Sequence, residues 1–160
     1  MNHHLIKHGD GVRDIALTVD DSNAVYDYAI KNGATSIKPP TKLEDKDGHV
    51  IVSTIKTYGD TTHTFVERKN YKGLFMPGYQ PHYHNEAFNQ KFPPVKFEKV
   101  DHIVGNQPDL QMEKAVEFYE KCLGFHRFWS VDDKTLHTEY SSLRSIVVAD
   151  YDENIKMPIN

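Results

Sequence analysis

One order of local patterns occurs twice in this chain of 160 residues, and that repeat restricts the fold more than any single motif does. Asp14 to Val19 sets Ile15, Leu17 and Val19 on one face and Asp14, Ala16 and Thr18 on the other, the period of a half-buried strand. Asp20, Asp21 and Ser22 then offer N-cap oxygens, Ala24, Val25, Tyr28 and Ala29 recur at helical spacing, and Gly33 stands where a left-handed turn ends a helix. Beyond Ser36-Ile37 and a Pro39-Pro40 break, His49 to Tyr58 reads as a strand, Gly59-Asp60 as a tight turn and Thr61 to Val66 as the return strand. The order is β-α-β-β-β.

Glu67 to Lys96 holds Pro77-Gly78, Pro81 and Pro93-Pro94 among Tyr, Phe and His with no sustained period, which predicts a linker whose aromatics pack down. The first pattern then returns. Val100 to Val104 is extended, Pro108-Asp109 starts a helix, Ala115, Phe118, Tyr119, Cys122 and Leu123 share a face, and Gly124 caps it. Phe125 to Val131, Leu136 to Tyr140 and Leu143 to Tyr151 read as three further strands, split by Asp132-Asp133 and Ser141-Ser142. Asp14-Ile15 thus stands opposite Asp101-His102, 87 residues on. The predicted class is α+β, with modules at 1–67 and 98–160 joined by a linker at 68–97. One such unit is a curved sheet with a helix on one face, and two can close around a ligand cavity.

Composition narrows the partners. Phe 8, Tyr 9 and Trp 1 are enough large side chains to fill a core, which excludes a disordered chain. A net charge of -4 with no Lys/Arg cluster argues against nucleic acid or an anionic membrane surface, and no apolar run approaches a membrane span. A single cysteine, Cys122, and the absence of any Asn-x-Ser/Thr site fit a reducing, cytoplasmic setting, with no targeting segment visible.

Ten histidines invite a metal reading. His3 and His4 are terminal, His49 sits by a turn and His82-Tyr83-His84 lies in the linker with no carboxylate on a neighbouring regular element, so solvated or interface roles lead. His63, His126 and His137 alternate within strands and read as hydrogen-bonded sheet residues. Gly9-Asp10-Gly11 lacks the third glycine and the preceding strand of a dinucleotide loop, and reads as a turn. His102, on the opening strand of the second unit and sharing a face with Val100 and Val104, reads on spacing as a structural histidine ahead of a metal ligand.

The motif content shifts that balance. Asp101-His102-Ile103-Val104-Gly105-Asn106-Gln107-Pro108-Asp109, the runs Phe125 to Asp133 and His137 to Ala149, and the closing Lys156-Met157-Pro158-Ile159-Asn160 strongly resemble the animal 4-hydroxyphenylpyruvate dioxygenase family. His8 to Val12 and Tyr58 to Thr64 extend the likeness over nearly the whole chain, apart from Gln80 to Gln90. The resemblance implies β-α-β-β-β modules of the vicinal-oxygen-chelate (glyoxalase/dioxygenase) type. It makes 1–67 the second module of an N-terminal domain and 98–160 the first module of an iron-binding C-terminal domain. It further implies His102 as one Fe(II) ligand, with a second His and a Glu outside this chain, and Ser145, Val147 and Asn160 as substrate-pocket residues. Val147 enters as sharing the strand face of Ser145.

The implied reaction is oxidative decarboxylation and ring hydroxylation of 4-hydroxyphenylpyruvate by dioxygen to homogentisate, in the catabolism of tyrosine and phenylalanine. Two imidazoles and a carboxylate leave three positions on iron for a bidentate α-keto acid and dioxygen. One imidazole alone does not, so the chain by itself is expected to be inactive. A homo-oligomer is expected, because each unit has a face that needs a partner. The rival readings are a non-catalytic small-molecule-binding pair of modules and a purely structural pair.

Overall fold

The computed structural model describes residues 2–81, 91–92, 95–132, 134 and 137–160; His82, His84 and the first residue of the Leu136–Tyr140 strand lie outside them. A short helix, α1 (Asn2–His8), comes first, and Lys7 and His8 both reach the Asp60 carboxylate, which they hold well below the usual acidic range. The first unit follows as β1 (Asp14–Thr18), α2 (Ser22–Lys31), β2 (Thr35–Asp45), β3 (Gly48–Lys56) and β4 (Thr62–Glu67). Its sheet runs β1-β4-β3-β2, with β1 parallel to β4 and the other pairs antiparallel. Asp21 caps α2, its carboxylate accepting the N–H groups of Asn23 and Ala24 at 2.9 Å each. Asn32 follows the helix, and Gly33 takes the left-handed turn at φ 101°.

The Pro39-Pro40 pair does not break the chain as expected. It lies inside β2, where the pairing with β3 shifts register between Ser36 and Thr41. β2 is the edge of the sheet, and an edge strand tolerates residues with no N–H to donate. Gly48 closes the β2–β3 hairpin at φ 122°, and a Cβ there would meet the Asn70 carbonyl oxygen at 2.2 Å. The linker packs down only at its start, since Phe75, Tyr79, Phe92 and Phe97 are exposed against the expectation from its aromatics. Tyr71 is buried against Val50 and Val52, and its hydroxyl donates to Asp45.

The second unit holds α3 (Met112–Leu123), β5 (His126–Val131), β6 (Ser145–Ala149) and β7 (Lys156–Ile159), with an antiparallel sheet in the order β5-β6-β7. Beside β7 the opening segment takes the place that β1 has in the first unit. Ile103 N–H donates to Lys156 O, Gly105 N–H to Pro158 O, Asn160 N–H to Gly105 O, and the Gly105–Ile159 bridge is parallel. The two sheets therefore share one topology, as the repeat predicts.

Two local expectations fail. Pro108-Asp109 forms a turn rather than the helix start: Gln111 N–H donates to Pro108 O, Leu110 sits at φ 62°, and α3 begins at Met112 with no side-chain cap. The described part of Leu136–Tyr140 is no strand, because the Thr138 hydroxyl accepts the N–H groups of Tyr140 and Ser141 and folds the chain back locally. The missing sheet member is β7, only four residues long.

The units meet through their helix-bearing faces. Ile15 of β1 lies in one core with Ala115, Val116 and Tyr119 of α3 and with Ile146, Val148, Met157 and Ile159, while Leu17, Phe118 and Leu123 bridge to Ala29, Ile55 and Phe65. Burying side chains of this size stabilises by roughly 1.5–3 kcal/mol each, which makes the shared core the main bond between units. The expectation that the two open sheet faces close around one cavity is not met. Those faces point away from the shared core.

Candidate functional site

Strand alternation builds the site. Along β6, Ile146 and Val148 enter the core beside α3, which turns Ser145 and Val147 to the outer face, both still buried by their neighbours. In β5 the pairing shifts register between Arg127 and Trp129. Arg127 turns to the helix side, donating to Glu113 at 2.8 Å and Glu120 at 3.0 Å. Phe128 and Trp129 both border the outer face, which simple alternation would forbid.

His102 and Val104 come from the opening segment, Lys156 and Pro158 from β7, and Asn160 from the chain beyond it. Together with Leu143 these groups line an open cavity of about 510 Å³, made by second-unit residues alone. Its walls are apolar apart from one imidazole, one ammonium, one hydroxyl and one amide. Lys156 Nζ lies 5.4 Å from the centre of the Phe128 ring, and Asn160 Nδ2 donates to Asn106 at 3.2 Å.

His102 is half exposed, and its Nδ1 lies 2.6 Å from an Asp101 carboxylate oxygen. An ionised carboxylate only accepts, so Nδ1 donates and Nε2 of the neutral ring keeps its lone pair. The same contact holds the Asp101 carboxyl below its ordinary range. Asp101 thus fixes the tautomer in which Nε2 can bind a metal.

All four expected site residues, His102, Ser145 and Asn160 from the resemblance and Val147 from its strand face, border this one cavity. Sequence reasoning missed Phe128, Trp129, Lys156 and Pro158. The adjacent aromatic pair inside a strand was the available signal, since both side chains reach one face only across a bulge. His63 is buried between the units, His126 faces Glu153 at 3.3 Å, and His137 bridges to Ser142, so none of them joins His102. Among the described residues no group of three His, Cys, Asp or Glu could hold a metal ion.

The structure also corrects the register of the repeat. Asp14 is exposed and Ile15 buried, whereas His102 is exposed and Ile103 packs against the core. Asp14, not Ile15, therefore occupies the place of His102. Its carboxylate accepts from the Thr62 and Thr64 hydroxyls at 2.5 and 2.9 Å.

Residues 99–160 match the Glyoxalase/Bleomycin resistance protein/Dioxygenase superfamily. A solved triple mutant of 4-hydroxymandelate synthase from Streptomyces coelicolor shares the fold at a TM-score of 0.71 and 18% identity, over 98% of this chain and 43% of that one. Sheet order, helix placement and these matches define the class as the two-module vicinal-oxygen-chelate fold. The whole chain is 52% identical over 160 residues to 4-hydroxyphenylpyruvate dioxygenase of Tetrahymena thermophila and 51% identical to that of Caenorhabditis elegans. Over 161 residues it is 52% identical to that of Danio rerio. Over its whole length the chain is similar to 4-hydroxyphenylpyruvate dioxygenases, and it spans about 40% of the length of these curated relatives.

Proposed function

We propose that the outer face of the second unit is one wall of the substrate site of an Fe(II)-dependent 4-hydroxyphenylpyruvate dioxygenase, which forms homogentisate in tyrosine and phenylalanine catabolism. The observation that carries this reading is the convergence of His102, Ser145, Val147 and Asn160 on one cavity. In it, residues 1–67 are the second module of the N-terminal domain, 68–97 the linker and 98–160 the first module of the iron-binding domain.

The side chains suit an anionic aromatic ligand. Phe128 and Trp129 offer ring faces to a phenol, a contact of about 0.5–1.5 kcal/mol beyond area burial. The Lys156 ammonium attracts a carboxylate, and the Ser145 hydroxyl and Asn160 amide can donate to its oxygens. Val147, Val104 and Pro158 keep water from that contact. Fe(II), when bound, would supply the redox activation of dioxygen against an α-keto acid. His102 Nε2 is one nitrogen toward it, and among the described residues no further donors complete a site. The remaining His and Glu belong to sequence outside this chain. The same reading puts the protein in the reducing cytoplasm, as a homo-oligomer.

The test is a chimera in which this chain replaces its matched segment in the Tetrahymena thermophila relative. It should retain iron and form homogentisate from 4-hydroxyphenylpyruvate and dioxygen, while the isolated chain gives no more than a free-iron control. A folded chimera with no iron, or homogentisate from the isolated chain, contradicts the reading.

A further inference from the structure

His63 on β4 is fully buried, and the reading above does not use it. Its ring sits where the two units meet. Nδ1 lies 2.9 Å from the Ile15 carbonyl oxygen, and Nε2 lies 2.9 Å from the Tyr119 hydroxyl of α3. A carbonyl only accepts, so Nδ1 carries the proton and donates, and Nε2 accepts the Tyr119 O–H. The geometry therefore fixes the tautomer that the neutral ring takes.

The contacts continue across the interface. Tyr119 meets the His63 ring edge-on at 5.7 Å, and the Tyr58 ring centre is 6.5 Å from that of Tyr119. Tyr58, just before the turn into β4, presses its hydroxyl against Gly105, where a Cβ would stand 2.3 Å from that oxygen. Gly105 in turn is bonded on both sides to the β7 end, through Pro158 and Asn160. One file of side chains thus runs from the sheet of the first unit to the opening segment of the second.

A second proton on His63 is costly in this arrangement. It would attach at Nε2, turn the Tyr119 hydroxyl from donor to acceptor there, and send the Tyr119 hydrogen to the Tyr58 hydroxyl. The positive ring would be sealed from water. Its facing groups are neutral on α3 and at the β3–β4 connection, Tyr119 and Tyr58. On β1, Asp14 favours the charge, but its carboxylate lies on the opposite sheet face under Thr62 and Thr64. Burial outweighs Asp14 and the Ile15 carbonyl, and pushes the His63 ring below its ordinary 6.5.

We propose that His63, Tyr119 and Tyr58 form a proton-controlled latch between the two units, closed while His63 is neutral and opened when it is protonated, so that acid loosens the seat of the second unit's opening segment. The sign follows from linkage. Below about pH 6.5 the unfolded chain takes up the His63 proton and the folded chain resists it, so stability is present at neutral pH and is lost as pH falls toward the folded value.

Nuclear magnetic resonance of the full chain from pH 7.5 to 5 tests this. The His63 ring should titrate below the ordinary imidazole value of 6.5, and the amide signals of Tyr119 and Gly105 should move with its midpoint. His63→Gln, which can donate to Ile15 and accept from Tyr119 but cannot ionise, should abolish that shared inflection. It should also reduce the wild type's loss of urea resistance between pH 7.5 and 5.5. A His63 ring that titrates at or above 6.5, or a Gly105 signal that ignores the His63 midpoint, overturns the proposal. The wild-type titration decides even if the Gln variant does not fold, and neither arm involves iron.

Discussion

The two units have the same sheet order and present opposite outer faces. In the first, Tyr71 covers Val50 and Val52 at one end of the sheet, and Asp14 is held by Thr62 and Thr64 at the other. In the second, the equivalent surface is open, walled by Phe128, Trp129, Val147 and Pro158, and the place of Asp14 is taken by His102 with a free Nε2. The inner faces differ little, since both bury aliphatic strand residues against α2 or α3. The scaffold is thus fixed by the inner residues, and the outer ones are free to be closed off or opened into a site.

The comparison of inner with outer residues makes the largest prediction. Tyr119→Ala removes the fully buried ring that joins the units, and should cost about 3–5 kcal/mol in urea unfolding. Trp129→Ala, on the exposed outer wall, should stay within about 0.5 kcal/mol. The same Trp129 change should weaken any self-association of the chain seen in sedimentation, because an open apolar face recruits a second copy. Equal costs for the two substitutions would break the inner–outer distinction.

A smaller effect separates the helices. Asp21→Ala removes two hydrogen bonds at the start of α2 and should cost about 1 kcal/mol. Gln111→Ala, at the uncapped start of α3, should cost no more than about 0.5 kcal/mol by the same unfolding measurement. A loss at Gln111 as large as that at Asp21 would show that α3 is capped by a contact outside the static geometry.

Much of this architecture is legible in the residue pattern, for reasons that also explain the failures. β1, α2 and the β3–β4 hairpin follow from alternation, Asp21 and Gly59-Asp60, all of them local signals. The prolines of β2 misled because whether a strand lies at an edge is a property of the sheet. β7 was missed because four residues containing Pro158 carry almost no period, and the Thr138 turn took the place assigned to a strand. The repeat was set one residue out because matching Asp14 to Asp101 ignores which face each side chain takes. His102, Ser145 and Asn160 rest on motif resemblance rather than spacing, and Val147 on strand alternation from Ser145. Phe128 and Trp129 share a face only because of the bulge in β5, for which the adjacent aromatic pair is the one local signal.

On the proposed reading, the outer face of the second unit carries the site and the equivalent face of the first does not. Iron content per chain, measured in the Tetrahymena thermophila chimera with His102→Ala and separately with Asp14→Ala, tests it most directly. His102→Ala should lose iron and Asp14→Ala should keep the wild-type content, both proteins keeping the parent's circular dichroism. Wild-type iron in the His102→Ala protein would contradict it.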